Sequence, residues 1–145
     1  MELKDVYGEE KLKNSLHYSA DTFASVYIEN LGNGQFKITD LPNVAQLSNL
    51  NDMLVRDFNG DGALDVLAVG NLYVSEIETP RNDAGTGLLL LGDGTGSFSA
   101  KRGPEIGFFA DRDAKKLVTL SNVQNDYFLV GNNDDVLQIF ELQKN

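Results

Sequence analysis

The sequence predicts an all-β protein of repeated antiparallel four-stranded sheets, preceded by a short helical segment. Short apolar and β-branched runs recur from residue 23 onward, and glycine-rich turns separate them. Fourteen glycines against three prolines suit a chain with many tight turns. Two sequence motifs also occur twice, at nearly the same distance, so we expect the sheets to be copies of one unit.

The helical segment is predicted at residues 1–22, which are the least β-like part of the chain. Its apolar residues lie at helical spacing and are Leu3, Val6, Tyr7, Leu12 and Leu16. Gly8 falls among them and should divide the helix into two short pieces. Residues 1–22 are therefore expected to form a helical leader or insertion, and residues 23–145 to form the repeated sheets.

Nine strands are predicted after the helical segment, each a short β-type run between turn residues. They are 23–30, 35–40, 52–57, 64–70, 86–92, 96–100, 116–121, 126–131 and 135–142. Two of the connections, Gly32-Asn33-Gly34 and residues 92–96, have the composition of hairpin turns.

The two repeated motifs give the sheets a period. Leu31–Phe36 recurs in the segment that ends at Phe98, and Asp65–Asn71 recurs as Asp126–Asn132. The copies lie about 60 residues apart in both cases, and a repeat of that size holds about four strands, as a propeller blade does. In order, the chain supplies the outer hairpin of one blade (23–40), a whole blade (about 52–100) and most of another (116–142). This makes about two to two-and-a-half blades.

The residues between strands 52–57 and 64–70 have the spacing of a calcium loop. Side-chain oxygens at loop positions 1, 3, 5 and 9, a glycine at position 6 and a backbone carbonyl at position 7 are the ligand pattern that Ca²⁺ prefers. The ligand candidates are Asp57, Asn59, Asp61 and Asp65, with the carbonyl of Ala63. Position 12 is Ala68 and not the glutamate of an EF-hand. The alternative is a solvated turn, since Asp, Asn and Gly are common in tight loops.

The second copy of this region lacks most of the acidic residues. The corresponding loop reads Ser121-Asn122-Val123-Gln124-Asn125 before Asp126, which is aligned with Asp65. The sequence therefore predicts one strong cation site and not two.

The loop with its apolar strand, followed by Gly92-Asp93-Gly94-Thr95-Gly96-Ser97-Phe98, resembles the FG-GAP/VCBS repeat. That repeat is the calcium-binding blade of integrin-α-like β-propellers. Over roughly residues 20–142 the chain is similar to the C-terminal region of bacterial VCBS-repeat proteins of the cartilage-acidic-protein-related type. The resemblance implies Ca²⁺ held by the side chains of Asp57, Asn59, Asp61 and Asp65 and by the carbonyl of Ala63. It also implies an extracellular or cell-surface location within a longer exported protein.

The expected function is that of a non-enzymatic, calcium-binding module for binding or scaffolding. A ring face that carries residues 71–86 could bind a protein or glycan ligand. Self-association or contact with the remainder of a larger propeller is expected. The alternatives are part of a propeller-fold polysaccharide-acting enzyme with structural calcium, and a segment that only closes its parent ring. Lone His17 gives no nucleophilic triad, so no catalytic residue is predicted.

Charge and composition exclude several other classes. The formal net charge of −10 and the pI near 4.4 disfavour nucleic acid as a partner. There is no cysteine, so thiol catalysis and thiolate metal sites are excluded. No apolar run reaches the length of a membrane span, so membrane insertion is not expected, and the N-terminus lacks the apolar core of a signal peptide.

Three further segments carry polar clusters. Residues 71–86 are long for a connection within a sheet, and their polar residues could form either a recognition patch or a local ion-pair network. Those residues are Glu76, Glu78, Arg81, Asn82 and Asp83. Asp111 and Asp113 beside Arg112 are interpreted as a solvated turn, and Asn132-Asn133-Asp134-Asp135 as a hairpin connection.

Overall fold

The computed structural model describes residues 1–143 and confirms the all-β fold class. Two short helices come first, α1 (Leu3–Tyr7) and α2 (Glu9–Leu12). The strands follow as β1 (Val26–Gly32), β2 (Gln35–Asp40), β3 (Leu50–Arg56), β4 (Asp65–Gly70), β5 (Leu88–Gly92), β6 (Phe98–Arg102), β7 (Ala114–Ser121), β8 (Asn125–Asn132) and β9 (Gln138–Gln143). One 3₁₀ turn at Asn43–Gln46 precedes β3, and another at Gly103–Ile106 precedes β7.

The helical segment is shorter than its apolar pattern predicts. Gly8 separates the two helices as expected, but the second helix ends at Leu12 and Leu16 lies beyond it, 77% exposed. Neither helix has a buried residue. Helices this short are marginal without packing against a core, which explains why the pattern does not continue as helix.

All nine predicted strands are present, with ends that differ from the predicted ones by a few residues. They form a two-stranded sheet (β1-β2), a four-stranded sheet (β3-β4-β5-β6) and a three-stranded sheet (β7-β8-β9), all antiparallel. The sheets contain two, four and three strands, as expected for residues 23–40, 52–100 and 116–142. Within residues 1–143 the sheets do not close into a barrel.

The residue pairs of the β1-β2 hairpin recur in the β5-β6 hairpin when Phe36 is aligned with Phe98. In β1-β2, Ile28 lies opposite Ile38, and in β5-β6, Leu90 lies opposite Ala100. The pair formed by Asn30 and Phe36 corresponds in the same way to Gly92 and Phe98. The hairpin β1-β2 is therefore the structural counterpart of the outer half of the four-stranded sheet.

The third sheet follows the same register, which corrects the alignment of Asp65 with Asp126. The first strand of each of the two larger sheets, β3 and β7, contains a bulge. As a result, Leu50 pairs with Gly70 in the four-stranded sheet and Ala114 pairs with Asn132 in the three-stranded sheet. Gly70 thus corresponds to Asn132, and Asp65 corresponds to Tyr127 and not to Asp126. A slip of one residue reverses the face on which every side chain lies, so Asp65 and Asp126 have different surroundings.

Two apolar clusters hold the sheets together. The larger one lies between the four-stranded and three-stranded sheets and consists of Leu67, Val69, Phe108, Ala110, Ala114, Leu117, Phe128 and Val130. The smaller one covers the other face of the four-stranded sheet and consists of Ala45, Ala68, Leu88 and Leu90. The four-stranded sheet is therefore the central layer, with the candidate calcium loop at one end of it.

Candidate functional site

The candidate calcium loop connects β3 to β4 and depends on glycine at two positions. Gly60 has φ 81° and Gly62 has φ 88°, which lie in the left-handed region that glycine adopts without a steric penalty. These two conformations turn the chain back so that residues 57–65 form a compact loop. The alternation of polar residues and glycine in the sequence is thus reflected in the backbone.

Asp57 organises the first half of the loop. Its Oδ1 accepts a hydrogen bond from the Gly60 N–H at 2.6 Å, and its Oδ2 accepts one from the Gly62 N–H at 2.9 Å. The N–H groups of Gly62 and Gly60 lower the pKa of Asp57, because they stabilise the ionised carboxylate. Asp57 is exposed, so its carboxylate is both charged and accessible from solvent.

Asn59 and Asp61 continue this arrangement on the surface of the loop. The Asp61 N–H donates to Asn59 Oδ1 at 2.9 Å, and the Ala63 N–H donates to Asp61 Oδ1 at 2.8 Å. Asn59 Nδ2 also donates to Asp61 Oδ2 at 2.8 Å. These are the side-chain-to-backbone bonds of Asx turns, so the loop is ordered by its own polar groups.

Asp65 differs from the other candidate ligands because it is fully buried, with 0% of its surface exposed. Its Oδ2 accepts from the Phe58 N–H at 2.9 Å, and its Oδ1 accepts from the Gly92 N–H at 2.9 Å. Among residues 1–143 no lysine, arginine or histidine forms an ion pair with it. A buried carboxylate held only by backbone groups is costly unless further charge compensation is available.

The contact with Gly92 could not be predicted from the sequence, because Gly92 lies at the end of β5, far beyond the loop along the chain. A side chain at Gly92 would place its Cβ only 2.3 Å from the Leu64 carbonyl oxygen. The glycine is therefore required for the end of β5 to approach Asp65. The signal in the sequence is the Gly92 that opens the second glycine-rich turn.

The five predicted ligands lie in one loop, and every donor atom among them is oxygen. Asp57, Asn59 and Asp61 are exposed, Ala63 is half-buried and Asp65 is buried. In the part of the chain that the structure describes, no three acidic or histidine side chains are close enough to share a metal ion. The donor chemistry fits Ca²⁺, and the side chains of Asp57 and Asp61 would have to turn from the loop backbone to reach a common ion.

A second acidic turn lies beside the candidate loop. Asp93 accepts from the Thr95 N–H at 2.8 Å, from Thr95 Oγ1 at 2.8 Å and from the Ser97 N–H at 3.1 Å. The hydrogen bonds from Thr95 and Ser97 lower the pKa of Asp93. A shallow cleft of about 460 Å³ separates the two turns, with Asn59 and Asp61 on one side and Asp93 on the other.

The loop between β7 and β8 lacks this chemistry, and Asp126 has a different role from Asp65. Arg56 Nη1 lies 2.6 Å from Asp126 Oδ2, which joins the end of β3 to the start of β8. The guanidinium also lies over the rings of Phe58, at 4.5 Å, and Phe128, at 5.1 Å. Asp126 is therefore compensated by a cationic side chain of the neighbouring sheet.

Residues 71–86 contain a network of polar contacts around Tyr73 and Arg81. Arg81 pairs with Asp83 at 2.7 Å and lies 4.6 Å from the centre of the Tyr73 ring. Tyr73 donates to the Asp111 carbonyl at 2.9 Å, and burial raises its pKa. Asn82 Nδ2 donates to Asn49 Oδ1 at 2.8 Å. Glu76 and Glu78 are exposed. The loop contains local polar contacts, as expected from one of the two interpretations of this segment.

Asn71 was not singled out by its sequence, although it is fully buried and ties several segments together. Its amide donates to the carbonyls of Gly85 and Arg112 at 2.9 and 3.0 Å, and its Oδ1 accepts from Ser48 Oγ at 2.6 Å. Its φ of 106° is unusual for a residue other than glycine. Asn71 therefore ties the 71–86 loop to the segments that precede β3 and β7.

The remaining polar candidates have structural roles. Asp113 is 2% exposed and pairs with Lys115 at 2.5 Å, so its interpretation as part of a solvated turn is wrong. Burial raises the pKa of Asp113, but the bonds from Lys115 and Asn133 lower it by more. Arg112 pairs with Asp135, which connects the 111–113 turn to the 132–135 connection.

His17 lies on the exposed segment after α2, and its Nε2 is 3.2 Å from Ser15 Oγ. The same nitrogen is 3.4 Å from the Leu12 carbonyl oxygen. Within residues 1–143 no carboxylate contacts the imidazole, so this pair lacks the third group that orients the histidine of a triad.

None of the helices formed by residues 1–143 has both the length and the apolar character needed to cross a bilayer. Comparison of the chain with protein-family models, curated proteins and solved structures gave no match.

Proposed function

We propose that this chain is a calcium-binding segment of a β-propeller of the FG-GAP/VCBS type, which serves as a non-enzymatic binding or scaffold module. The proposal places one Ca²⁺ at the loop of residues 57–65. Asp57, Asn59, Asp61 and Asp65 supply side-chain oxygens, and Ala63 supplies its carbonyl.

The observation that carries the proposal is the buried carboxylate of Asp65. It lies at the base of an oxygen-rich loop, and backbone N–H groups are its only hydrogen-bond donors among residues 1–143. Asp126, by contrast, has the guanidinium of Arg56. A divalent cation at the loop would give Asp65 the positive charge that Arg56 gives Asp126.

In this proposal Ca²⁺ contributes directly to the stability of the fold. The unfolded chain has no preformed site, so the free energy of binding adds to the free energy of unfolding. The ion would fix the connection between β3 and β4, and through Gly92 it would fix the end of β5. Three strands of the four-stranded sheet thus depend on one loop.

A larger assembly is supported by an apolar groove beside β1. The two-stranded sheet covers only part of the four-stranded sheet and leaves a groove of about 530 Å³, lined in part by Met53, Val55 and Leu64. These three side chains are 48–63% exposed. Contiguous exposed apolar surface of this kind is typical of an interaction site, so we propose that further propeller sheets or a second copy pack here.

The proposed setting is an exported protein, outside the cell or at its surface. Millimolar Ca²⁺ outside the cell would keep a loop of modest affinity occupied. A protein or glycan ligand could contact the face that carries residues 71–86, where Val74 and Ile77 are strongly exposed.

The proposal is tested by thermal unfolding with excess Ca²⁺ and with EDTA. At a free Ca²⁺ concentration 100 times the Kd, binding adds about 2.7 kcal/mol to the free energy of unfolding. For a chain of this size, that corresponds to a rise in Tm of roughly 5–10 °C. Asp61→Ala should lose the rise, because it removes one ligand from the exposed part of the loop.

Asp93→Ala is the matched control, because Asp93 is also an exposed aspartate that orders a glycine-rich turn. This variant should keep the full calcium response. An equal response in the wild type and in Asp61→Ala, or an equal loss in both variants, would contradict the assignment of the ligands.

A further inference from the structure

The three-stranded sheet has an open edge next to an apolar cavity. In the part of the chain that the structure describes, β9 pairs with β8 on one side and with no strand on the other. A cavity of about 150 Å³ lies between this edge and the four-stranded sheet. Most of its lining is apolar and includes Phe58, Leu67, Leu89, Phe108, Phe128 and Phe140.

The equivalent position at the other junction of the molecule is filled by an aromatic side chain from a fourth strand. There β6 pairs with β5, and Phe98 of β6 packs against the smaller apolar cluster. The ring centres of Phe98 and Tyr27 are 5.5 Å apart in an edge-to-face arrangement. Tyr27 belongs to β1, so this pair connects two sheets.

The register that places Phe36 on Phe98 shows which residues correspond at the two junctions. Tyr27 lies opposite Thr39, and Leu89 lies opposite Lys101, so Leu89 occupies the place of Tyr27. At one junction Tyr27 contacts the ring of Phe98, and at the other junction Leu89 lines the cavity.

The edge of β9 can be matched to β5 in the same way. Val66 lies opposite Leu90 in the four-stranded sheet, and Phe128 lies opposite Phe140 in the three-stranded sheet. Phe140 of β9 therefore corresponds to Leu90 of β5. Two residues further along each strand, Leu142 corresponds to Gly92, and Gly92 lies opposite Phe98 of β6. A fourth strand beside β9 would thus place its residue opposite Leu142 at the cavity.

We propose that the edge of β9 binds an extended peptide strand that inserts one phenylalanine side chain into this cavity. The peptide would pair with β9 through backbone hydrogen bonds, which is recognition by β-strand addition. Its aromatic ring would meet Leu89 from the neighbouring sheet and the rings of Phe108 and Phe140, which themselves lie 4.5 Å apart. The chemistry of the partner is that of β6: a phenylalanine, a small residue two positions later, and basic residues after it.

The basic residues suit the charge of the chain. The protein has a formal net charge of −10, and Glu141 lines the cavity at the β9 edge. A cationic peptide is therefore attracted to this surface more than an anionic one. This inference does not depend on Ca²⁺, because no residue of the candidate calcium loop except Phe58 borders the cavity.

The test is the binding of a fluorescent peptide with the sequence of residues 96–102, Gly-Ser-Phe-Ser-Ala-Lys-Arg, to the whole chain. Fluorescence anisotropy gives the affinity, and NMR shifts of backbone amides give the location. The peptide should shift the amides of β9, and a peptide with serine in place of phenylalanine should bind at least tenfold more weakly.

Two protein variants with the same chemical change complete the test. Leu142→Lys, at the cavity, should weaken peptide binding at least tenfold, whereas Leu120→Lys, at an exposed position of β7, should leave the affinity unchanged. Both leucines are already partly exposed, at 40% and 62%, so the variants are expected to fold.

Equal binding of the phenylalanine and serine peptides would overturn the proposal, as would shifts away from β9 or the absence of binding. Light scattering is measured on the protein alone. A dimer that Leu142→Lys dissociates would show that a second copy covers the edge, and the proposal of a separate peptide partner would then be wrong.

Discussion

The two aspartates aligned by the repeated motif, Asp65 and Asp126, meet the cost of burial in different ways. Asp65 is 0% exposed and is bonded to the backbone N–H groups of Phe58 and Gly92. Asp126 is 5% exposed and pairs with Arg56 across two sheets. An aspartate near the start of the second strand of a β-hairpin can thus be held either by a cationic side chain of a neighbouring sheet or by backbone N–H groups alone. In our proposal, Ca²⁺ supplies the positive charge for Asp65.

The largest effect is expected at the Asp126 side of this comparison. Arg56→Met keeps much of the packing against Phe58 and Phe128 but removes the charge beside Asp126. Removing one partner of a buried pair costs about 3–5 kcal/mol, and the partial exposure of Arg56 favours the lower end. Urea unfolding should give a free energy of unfolding lower by about 3 kcal/mol.

A double-mutant cycle with Asp126→Asn separates the ion pair from lost packing. In the Asp126→Asn background, Arg56→Met should cost much less, because no buried negative charge remains beside it. An unchanged cost would mean that Arg56 acts through the phenylalanine rings alone.

The next effect is expected at Asp65. Asp65→Asn keeps the volume but turns an NH₂ group toward the N–H of either Phe58 or Gly92, and one buried donor then lacks an acceptor. The unpaired donor costs about 1–3 kcal/mol. Without Ca²⁺ the net loss in the free energy of unfolding should be smaller than this, because the variant also removes a buried negative charge that has no cationic partner. The loss should grow when Ca²⁺ is added, because only the wild type gains from binding.

Chemical unfolding of Asp65→Asn in EDTA and in Ca²⁺ checks this difference. Asp126→Asn serves as the control, since its cost should be the same in both buffers. A cost of Asp65→Asn that does not depend on Ca²⁺ would assign Asp65 a purely structural role.

The smallest effect is expected at Asp52, which links β3 of the four-stranded sheet to β7 of the three-stranded sheet. The N–H of Leu117 donates to Asp52 Oδ2 at 2.9 Å and lowers the pKa of Asp52; burial opposes this shift, and Lys116 at 3.0 Å supports it. Because the folded pKa is lowered, the contribution to stability is present above the unfolded value of about 3.9 and is lost as the pH falls through the folded pKa.

Stability measured between pH 6 and pH 3 tests this sign. Asp52→Asn should be less stable than the wild type at pH 6, by on the order of 1 kcal/mol, and the gap should narrow as the pH falls below the unfolded pKa of about 3.9. Asp21→Asn, at an exposed position in an irregular segment, is the matched control and should follow the wild type throughout. A gap that widens as the pH falls would contradict this account.

The strands could be predicted because turns and strands are local features of this sequence. Gly32-Asn33-Gly34 and the glycines of residues 92–96 separate apolar runs, and the nine runs between turns became nine strands. The helical pattern beyond Leu12 was misleading because spacing alone does not supply a surface for Leu16 to pack against.

Register and burial could not be predicted, because both depend on contacts between distant residues. The bulges at Asn51 and Lys115 set which face of each sheet is buried, and neither residue is unusual in sequence. The repeated motif therefore aligned Gly70 with Gly131, whereas the strand pairing shows that Gly70 corresponds to Asn132. The candidate loop was located from its spacing alone, but the burial of Asp65 and its bond to Gly92 required the fold.

Isothermal titration calorimetry of the apo protein measures whether one Ca²⁺ binds at residues 57–65. We expect saturable binding of one Ca²⁺ per chain, lost in the double variant Asp57→Ala/Asp61→Ala and kept in Asp93→Ala. The absence of saturable binding in the wild type, or the same stoichiometry in the double variant, would contradict the proposed calcium site.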